Sequence, residues 1–350
     1  MNVMLTRTFR CTLAAGALTL GAAACGGGGT SSGGGTVPTP PPVSGPQIYL
    51  TSQSGNSSQA GANEILAFNA KDILNGGSVS PTQQIFSQSF SNAPSIAVDS
   101  AANLYIADQP SASIQVFAAR SNGANVAPSY TITSTSYLSA PYGVALGPSG
   151  NIYVADPQGG PTGTGAIDVF ASGTGGNLTP IRQITGAGTG LDQPYGIVVD
   201  GSGNIYVSND TGGSGALAGS VEEFNASSST PVRTISGLNT QLNVPVAVAL
   251  DGNGNLYVAN QNGNSVVVYG PGQTGNTAPL RVITGSSTQI SGPQGVALDA
   301  SNNFWVTNLQ ATGVPGTLNV FGAGANGNVA PIAEIGGNSS VVFNPIGIAY

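Results

Sequence analysis

PVAVALDGNGNLYVANQNGNSVVVY, residues 245–269, is the unit from which this chain is built. Residues 246–250 form a short β-prone run, DGNGN forms a turn, residues 256–259 form a second run and residues 266–269 a third; PLRVI at 279–283 supplies a fourth. Four such runs in about 40 residues, alternating with period two and joined by Gly, Asn and Asp that accept positive φ, predict an antiparallel meander and no helix.

The meander recurs. First strands are expected at residues 94–98, 142–146, 195–199, 246–250, 294–298 and 346–350, and second strands open at Ile48, Leu104, Ile152, Ile205, Leu256 and Phe304. Third strands close on Phe68, Phe117, Phe170, Phe224, Tyr269 and Phe321; fourth strands open on Pro81, Pro128, Pro180, Pro231, Pro279 and Pro331, each followed four residues later by Ile. The array begins on a second strand that no first strand precedes and stops on a first strand that no second strand follows, so its two ends complete one sheet. Complementary ends are what a ring needs and an open solenoid does not, which predicts an all-β fold, a six-bladed β-propeller of four antiparallel strands per blade over residues 47–350.

Small residues on one face of the first strands, such as Gly143, Ala145, Gly295 and Ala297, suit the narrow space near a propeller axis. One aromatic per second strand, Tyr49, Tyr105, Tyr153, Tyr206, Tyr257 and Trp305, is expected to pack between blades. Arg182, Arg233 and Arg281, beside the prolines of the outermost strands, are expected to guard those edges against pairing.

Residues 1–24 carry Arg7 and Arg10 ahead of CTLAAGALTLGAAA, which reads as a secretion signal too short to remain as a membrane span. AAAC at 22–25 resembles the lipobox of bacterial lipoproteins, with Ala22 where Leu is usual, and this resemblance implies a lipidated Cys25 at the mature N-terminus. Residues 25–46 then form a Gly/Ser tether that stiffens into a Pro-rich spacer. The expected location is the bacterial cell envelope, on the periplasmic or extracellular side, at the outer membrane in a Gram-negative cell.

Pro141-Tyr142-Gly143-Val144-Ala145-Leu146 followed by Gly150-Asn151-Ile152-Tyr153-Val154-Ala155-Asp156 resembles the NHL repeat, and similar segments cover nearly all of residues 48–350. The histidine of the eponymous Asn-His-Leu is missing, Ser265 standing in its place between Asn264 and Val266. The resemblance implies a propeller and leaves function open, since NHL-type proteins include scaffolds, RNA binders, lyases and hydrolases.

Chemistry narrows the choice. The chain has no histidine, and Cys25 is its only cysteine beyond the signal, which disfavours imidazole and thiol catalysis, His-built zinc sites and the His-dependent lyases of similar fold. Asp99, Asp200, Asp251 and Asp299 end four first strands, each expected to cap its own turn; as a partial ring they are the weak candidates for a divalent cation such as calcium, and no other cofactor is expected. Asp108, Asp156, Asn209, Asn260 and Asn308 end second strands at the opposite mouth, which also holds Tyr142, Tyr195 and Gln294 at first-strand entries and the long connections 157–165, 210–219 and 309–316. This second mouth is the candidate binding face.

A net charge of −7, or −9 once Arg7 and Arg10 are removed, disfavours nucleic acid and direct adsorption to an anionic membrane. A domain of about 300 residues buries ~75% of its unfolded surface and needs no disulfide. The sequence therefore reads as an anchored, monomeric, non-catalytic binding module for an envelope protein, peptide or glycan, attached to the membrane only through its lipid. The alternatives are a metal-dependent hydrolase resembling gluconolactonase-like propellers, with carboxylates and Asn around the channel, and a purely structural surface protein. On the lipoprotein reading, Cys25→Ser shifts the protein from the membrane to the soluble fraction while its melting temperature stays unchanged; equal membrane association of the variant refutes it.

Overall fold

The strands assemble into six four-stranded antiparallel blades whose first strands surround a common axis. The computed structural model describes residues 45–52, 63–76, 79–211, 219–309, 316–336, 342 and 344–350. The expected signal, Cys25 and the tether up to residue 44 lie outside the described residues, as do parts of the connections 210–219 and 309–316. Blades one to five begin with Ser95–Val98, Gly143–Leu146, Pro194–Val199, Pro245–Leu250 and Pro293–Leu298. Blade six is composite: the C-terminal strand Pro345–Ala349 pairs with Gln47–Ser52, with Tyr49 opposite Ala349 and Leu50 opposite Ile348, and Asn63–Asn69 and Gln83–Ser87 complete the sheet.

The core demonstrates closure independently of the strand ladders. Among the described residues it divides into six apolar clusters, each shared by two neighbouring blades. An open stack of six blades has five such interfaces; the sixth exists only in a ring. Ile48, Leu50 and Leu66 of blade six meet Trp305 and Leu318 of blade five, while Tyr49 and Ile65 meet Ile96 and Leu104 of blade one. The second-strand aromatics pack between blades, from fully buried Trp305 to Tyr206 at 9% exposure.

Close approach at the axis explains the small residues. A Cβ on Gly143 would stand 2.2 Å from the Tyr195 carbonyl oxygen, and one on Gly196 would stand 2.6 Å from the Ala247 Cα. Neighbouring first strands thus touch backbone to backbone where the wedge is narrowest.

Two expectations change. The arginines do not guard free edges: Arg182 donates to the carbonyls of Ala226 and Ser228, Arg233 to those of Gly270 and Gln273, and Arg281 to those of Ala323 and Ala325, each reaching the next blade's turn between third and fourth strands. Arg233 and Arg281 also lie over the Tyr206 and Tyr257 rings at 5.6 and 5.2 Å. The outermost strands are in part already paired, because the same turn of the following blade adds Gly176–Asn177 in parallel to Tyr130–Thr133 and bridges Ile85 to Gly123, Ile235 to Gly275 and Ile283 to Gly327. An arginine there satisfies carbonyls of a turn that a strand edge has captured. Helix is the second difference: Ala70–Leu74 forms one short turn of α-helix in blade six, started by the Asn69 side chain accepting from the Lys71 amide and held by buried Ala70 and Ile73.

Deleting residues 345–350 removes the inner strand of the composite blade and its contacts with Ser52, Leu50 and Tyr49. The expected loss exceeds ~3 kcal/mol, since several buried side chains and a row of ladder bonds go together. Denaturant titration measures it, and a midpoint equal to that of the full chain contradicts closure through this strand.

Candidate functional site

Every first strand runs from one end of the channel, here the entry face, to the other, the exit face. Strand direction then places every other connection: those between second and third strands and those between blades lie on the entry face, and the turns between third and fourth strands lie on the exit face.

At the exit face the four aspartates close their own turns. Asp99 Oδ1 accepts from the amides of Ala101 and Asn103 while Oδ2 accepts from Asn103 Nδ2, and the same three bonds recur at Asp200 with Ser202 and Asn204, at Asp251 with Asn253 and Asn255, and at Asp299 with Ser301 and Asn303. Both oxygens of each carboxylate are occupied locally, and the exit mouth itself, a cavity of about 270 Å³, is lined by Val98, Leu146, Val199, Leu250, Leu298 and Tyr350. Among the described residues no three His, Cys, Asp or Glu side chains are grouped as a metal site requires.

Asp108, Asp156, Asn209, Asn260 and Asn308 do not line the entry mouth. All five are buried, at 0–1% exposure, and each turns to the connection entering its own blade, 16 or 17 residues upstream. Asp156 accepts from the amides of Ser139 and Ala140, and the Asn209, Asn260 and Asn308 side chains accept from those of Asp192, Asn243 and Ser291. Sequence reasoning saw the right residue type at the right place, but the amides they satisfy are distant in the chain. They hold the loops of the face rather than forming its surface.

The residues that do reach the axis are those at the first-strand entries, and in blades three to five β-bulges put them there. In blades three, four and five the pairing register shifts by one residue between Pro194 and Ile197, between Pro245 and Ala247, and between Pro293 and Gly295, leaving an extra residue that re-aims its side chain. Hydroxyls on second strands capture backbone groups at these entries: Gly196 N–H donates to Ser208 Oγ at 3.0 Å, Gly347 N–H to Thr51 Oγ1 at 2.9 Å, and Thr307 Oγ1 donates to the Ile346 carbonyl at 2.7 Å. Tyr142, Tyr195, Val246 and Gln294 then line a small axial cavity of about 70 Å³. Gln294 is turned back, its Nε2 donating to the Gly292 carbonyl at 3.2 Å. Tyr142 and Tyr195 meet each other edge to face, ring centroids 4.2 Å apart at 62°.

Two acids of blade three belong to this end as well: Asp210, next to the Tyr195 entry, and Asp192, close to Asp210. Asp210 follows Asn209, which pairs with Pro194, and its amide donates to the Gln193 carbonyl at 3.1 Å, so it sits next to the Tyr195 entry. Burial first, then the Asp210 charge, raises the Tyr195 phenol; burial, then Tyr195, then Asp210 raise Tyr142. Burial and then Asp192 raise Asp210 itself. The signal lay in comparing repeats column by column: the residue after the second-strand Asx is Gln109, Pro157, Asp210, Gln261 or Leu309, and the loop position held by the Asx is Ser91, Ser139, Asp192, Asn243 or Ser291. Only blade three is acidic at both.

With this geometry established, comparison with known proteins adds the fold and little more. The beta-propeller repeat family (SBBP) matches residues 181–215, the outermost strand of blade two and the inner half of blade three. No curated protein matches. A protein of unknown function from Bacteroides caccae is similar at 13% identity over 87% of this chain and 98% of its own, with a TM-score of 0.57. A proposed 6-phosphogluconolactonase from Bacteroides fragilis is similar at 15% identity over 87% and 83%, with a TM-score of 0.53. At these identities the likeness is one of fold.

One buried acid lies away from both mouths. Asp168, in the third strand of blade two, is fully buried; Gln183 Nε2 donates to one oxygen at 2.7 Å and the other has no partner. Burial, opposed by Gln183 and assisted by Asp156, raises its carboxyl to about 7. The unfolded chain, with an ordinary Asp, releases this proton first, so the group makes stability fall as pH rises from about 4 to 7 and leaves it flat above. Asp168→Asn should remove that slope and gain about 2–4 kcal/mol over the parent at pH 8 but not at pH 4. Urea titrations at the two pH values test it, and an unchanged slope contradicts it.

Proposed function

We propose that this protein is a lipid-anchored, NHL-like propeller of the cell envelope that binds a ligand or partner on its entry face, without catalysis, through Tyr142, Tyr195 and the loops around them. The observation that carries the reading is the ring pair at the axial mouth. Equivalent positions hold Val246, Gln294 and Ile346, so packing at this position does not require an aromatic, yet two adjacent blades supply one each and pair them over the cavity. Aromatic surfaces ringed by polar loops suit recognition.

The site of chain entry supports the same orientation. Pro46 and Gln47 lie by Val98, Asp99 and Tyr350 on the exit face, where the Pro46 carbonyl accepts from the Ala70 amide at 3.0 Å. Chain entry on the exit face keeps these described N-terminal residues away from the entry mouth. A hydrolase built on the exit-face aspartates would require them to abandon bonds that close four turns.

The double change Tyr142→Ala with Tyr195→Ala separates recognition from packing. Loss of capture on an array of envelope peptides and glycans, with the melting temperature within a few degrees of the parent, is the expected result. Strong destabilisation, or undiminished capture, assigns the tyrosines to the structure instead.

A further inference from the structure

The distribution of charge says what kind of group the entry mouth takes. Of the seven basic residues, Arg7 and Arg10 precede the propeller. The other five all fall on the exit side: Lys71 in the short helix, Arg120 in a turn between third and fourth strands, and Arg182, Arg233 and Arg281 at the start of fourth strands. Three of these are bound to turn carbonyls, and Arg120 lines a cavity with Asp99 and Tyr350. The entry mouth therefore has no cation of its own, while Asp210 stands next to the Tyr195 entry and Asp192 lies close to Asp210.

Neither carboxylate meets a salt-bridge partner or a side-chain donor among the described residues, and neither tyrosine hydroxyl has a hydrogen-bond partner there. Contrast the other acids at this end. Asp108 and Asp156 are held by amides, and Glu222 accepts from Thr234 and Ser220. Partial burial of Asp210 next to a like charge is unfavourable and is relieved by any cation that arrives. The Tyr faces add attraction of the same sign, since an aromatic ring draws a cation to its face. Size limits what enters: the axial cavity holds about 70 Å³, and its wall includes Gly143 and Gly196, where the first strands are in contact. One head group fits.

Resting on the binding reading above, we propose that the entry mouth captures the ammonium or guanidinium head group of a basic peptide segment, held between the Tyr142 and Tyr195 rings and the Asp192 and Asp210 carboxylates. Neutral ligands gain only the ring contacts, and anionic ligands are repelled.

The test uses the propeller with ¹³C-labelled tyrosine and two capped pentapeptides, one with lysine at its centre and one with norleucine, which keeps the stem and lacks the charge; chitotriose serves as a neutral glycan and a chitosan trimer as its charged counterpart. The lysine peptide should shift the Tyr142 and Tyr195 ring signals and bind at least about ten-fold more tightly than the norleucine peptide, with affinity falling several-fold as salt screens the charges. Asp192→Asn with Asp210→Asn should abolish that preference while the protein melts as the parent does. Equal affinity for the two peptides, or a preference that survives the double Asn change, overturns the cation assignment; if tyrosine shifts from either peptide or from chitotriose persist in that case, the binding face stands without it. Chitosan trimer bound in preference to the lysine peptide overturns the peptide assignment and keeps the cation. No tyrosine shift with any of the four probes overturns this inference and leaves the face to be judged by the array.

Discussion

Backbone contact between neighbouring first strands is the constraint on which this structure depends. Six wedge-shaped blades can meet around an axis only if their inner edges approach more closely than side chains allow, and Gly143, Gly196, Gly295 and Gly347 make that approach possible. Closure follows, because once the inner edges are in contact the last wedge space must be filled by a sheet, and that sheet is assembled from both ends of the array. The six interblade clusters and the arginine clamps farther out depend on the same angular spacing.

In blades three to five that constraint also shapes the candidate site. A strand that must bring its backbone against a neighbour at one residue and return to its own ladder at the next accommodates the mismatch as a bulge, and the bulged residue is free to point along the axis. Because its side chain contributes little to the sheets, it is free to vary among blades, from Val246 to Gln294 to Tyr195. The loops beyond it are fixed by buried Asx side chains, so the face is built on rigid supports while its surface residues differ blade by blade.

The two faces are accordingly unlike. The exit face carries the chain entry, the basic side chains and an aliphatic mouth whose flanking aspartates are engaged in turns. The entry face carries the tyrosines, long connections and, among the described residues, carboxylates without a side-chain donor.

Local pattern determined the fold: period-two alternation, Pro and Gly punctuation and complementary array ends are all encoded within a single repeat or at its margins, and they identify strands, blade number and closure. Local pattern also identified Tyr142 and Tyr195, because a residue that departs from its column in a repeat is visible in the string. Tertiary structure alone decided what the second-strand Asx residues bind, since their amide partners lie 16 or 17 residues away in another connection. It alone converted the arginines from edge guards into clamps, as their partners belong to the next blade. It alone brought Tyr142 of blade two against Tyr195 of blade three, next to Asp210. Proximity across blades is fixed by the closed ring, and no pairwise spacing in the sequence carries that distance.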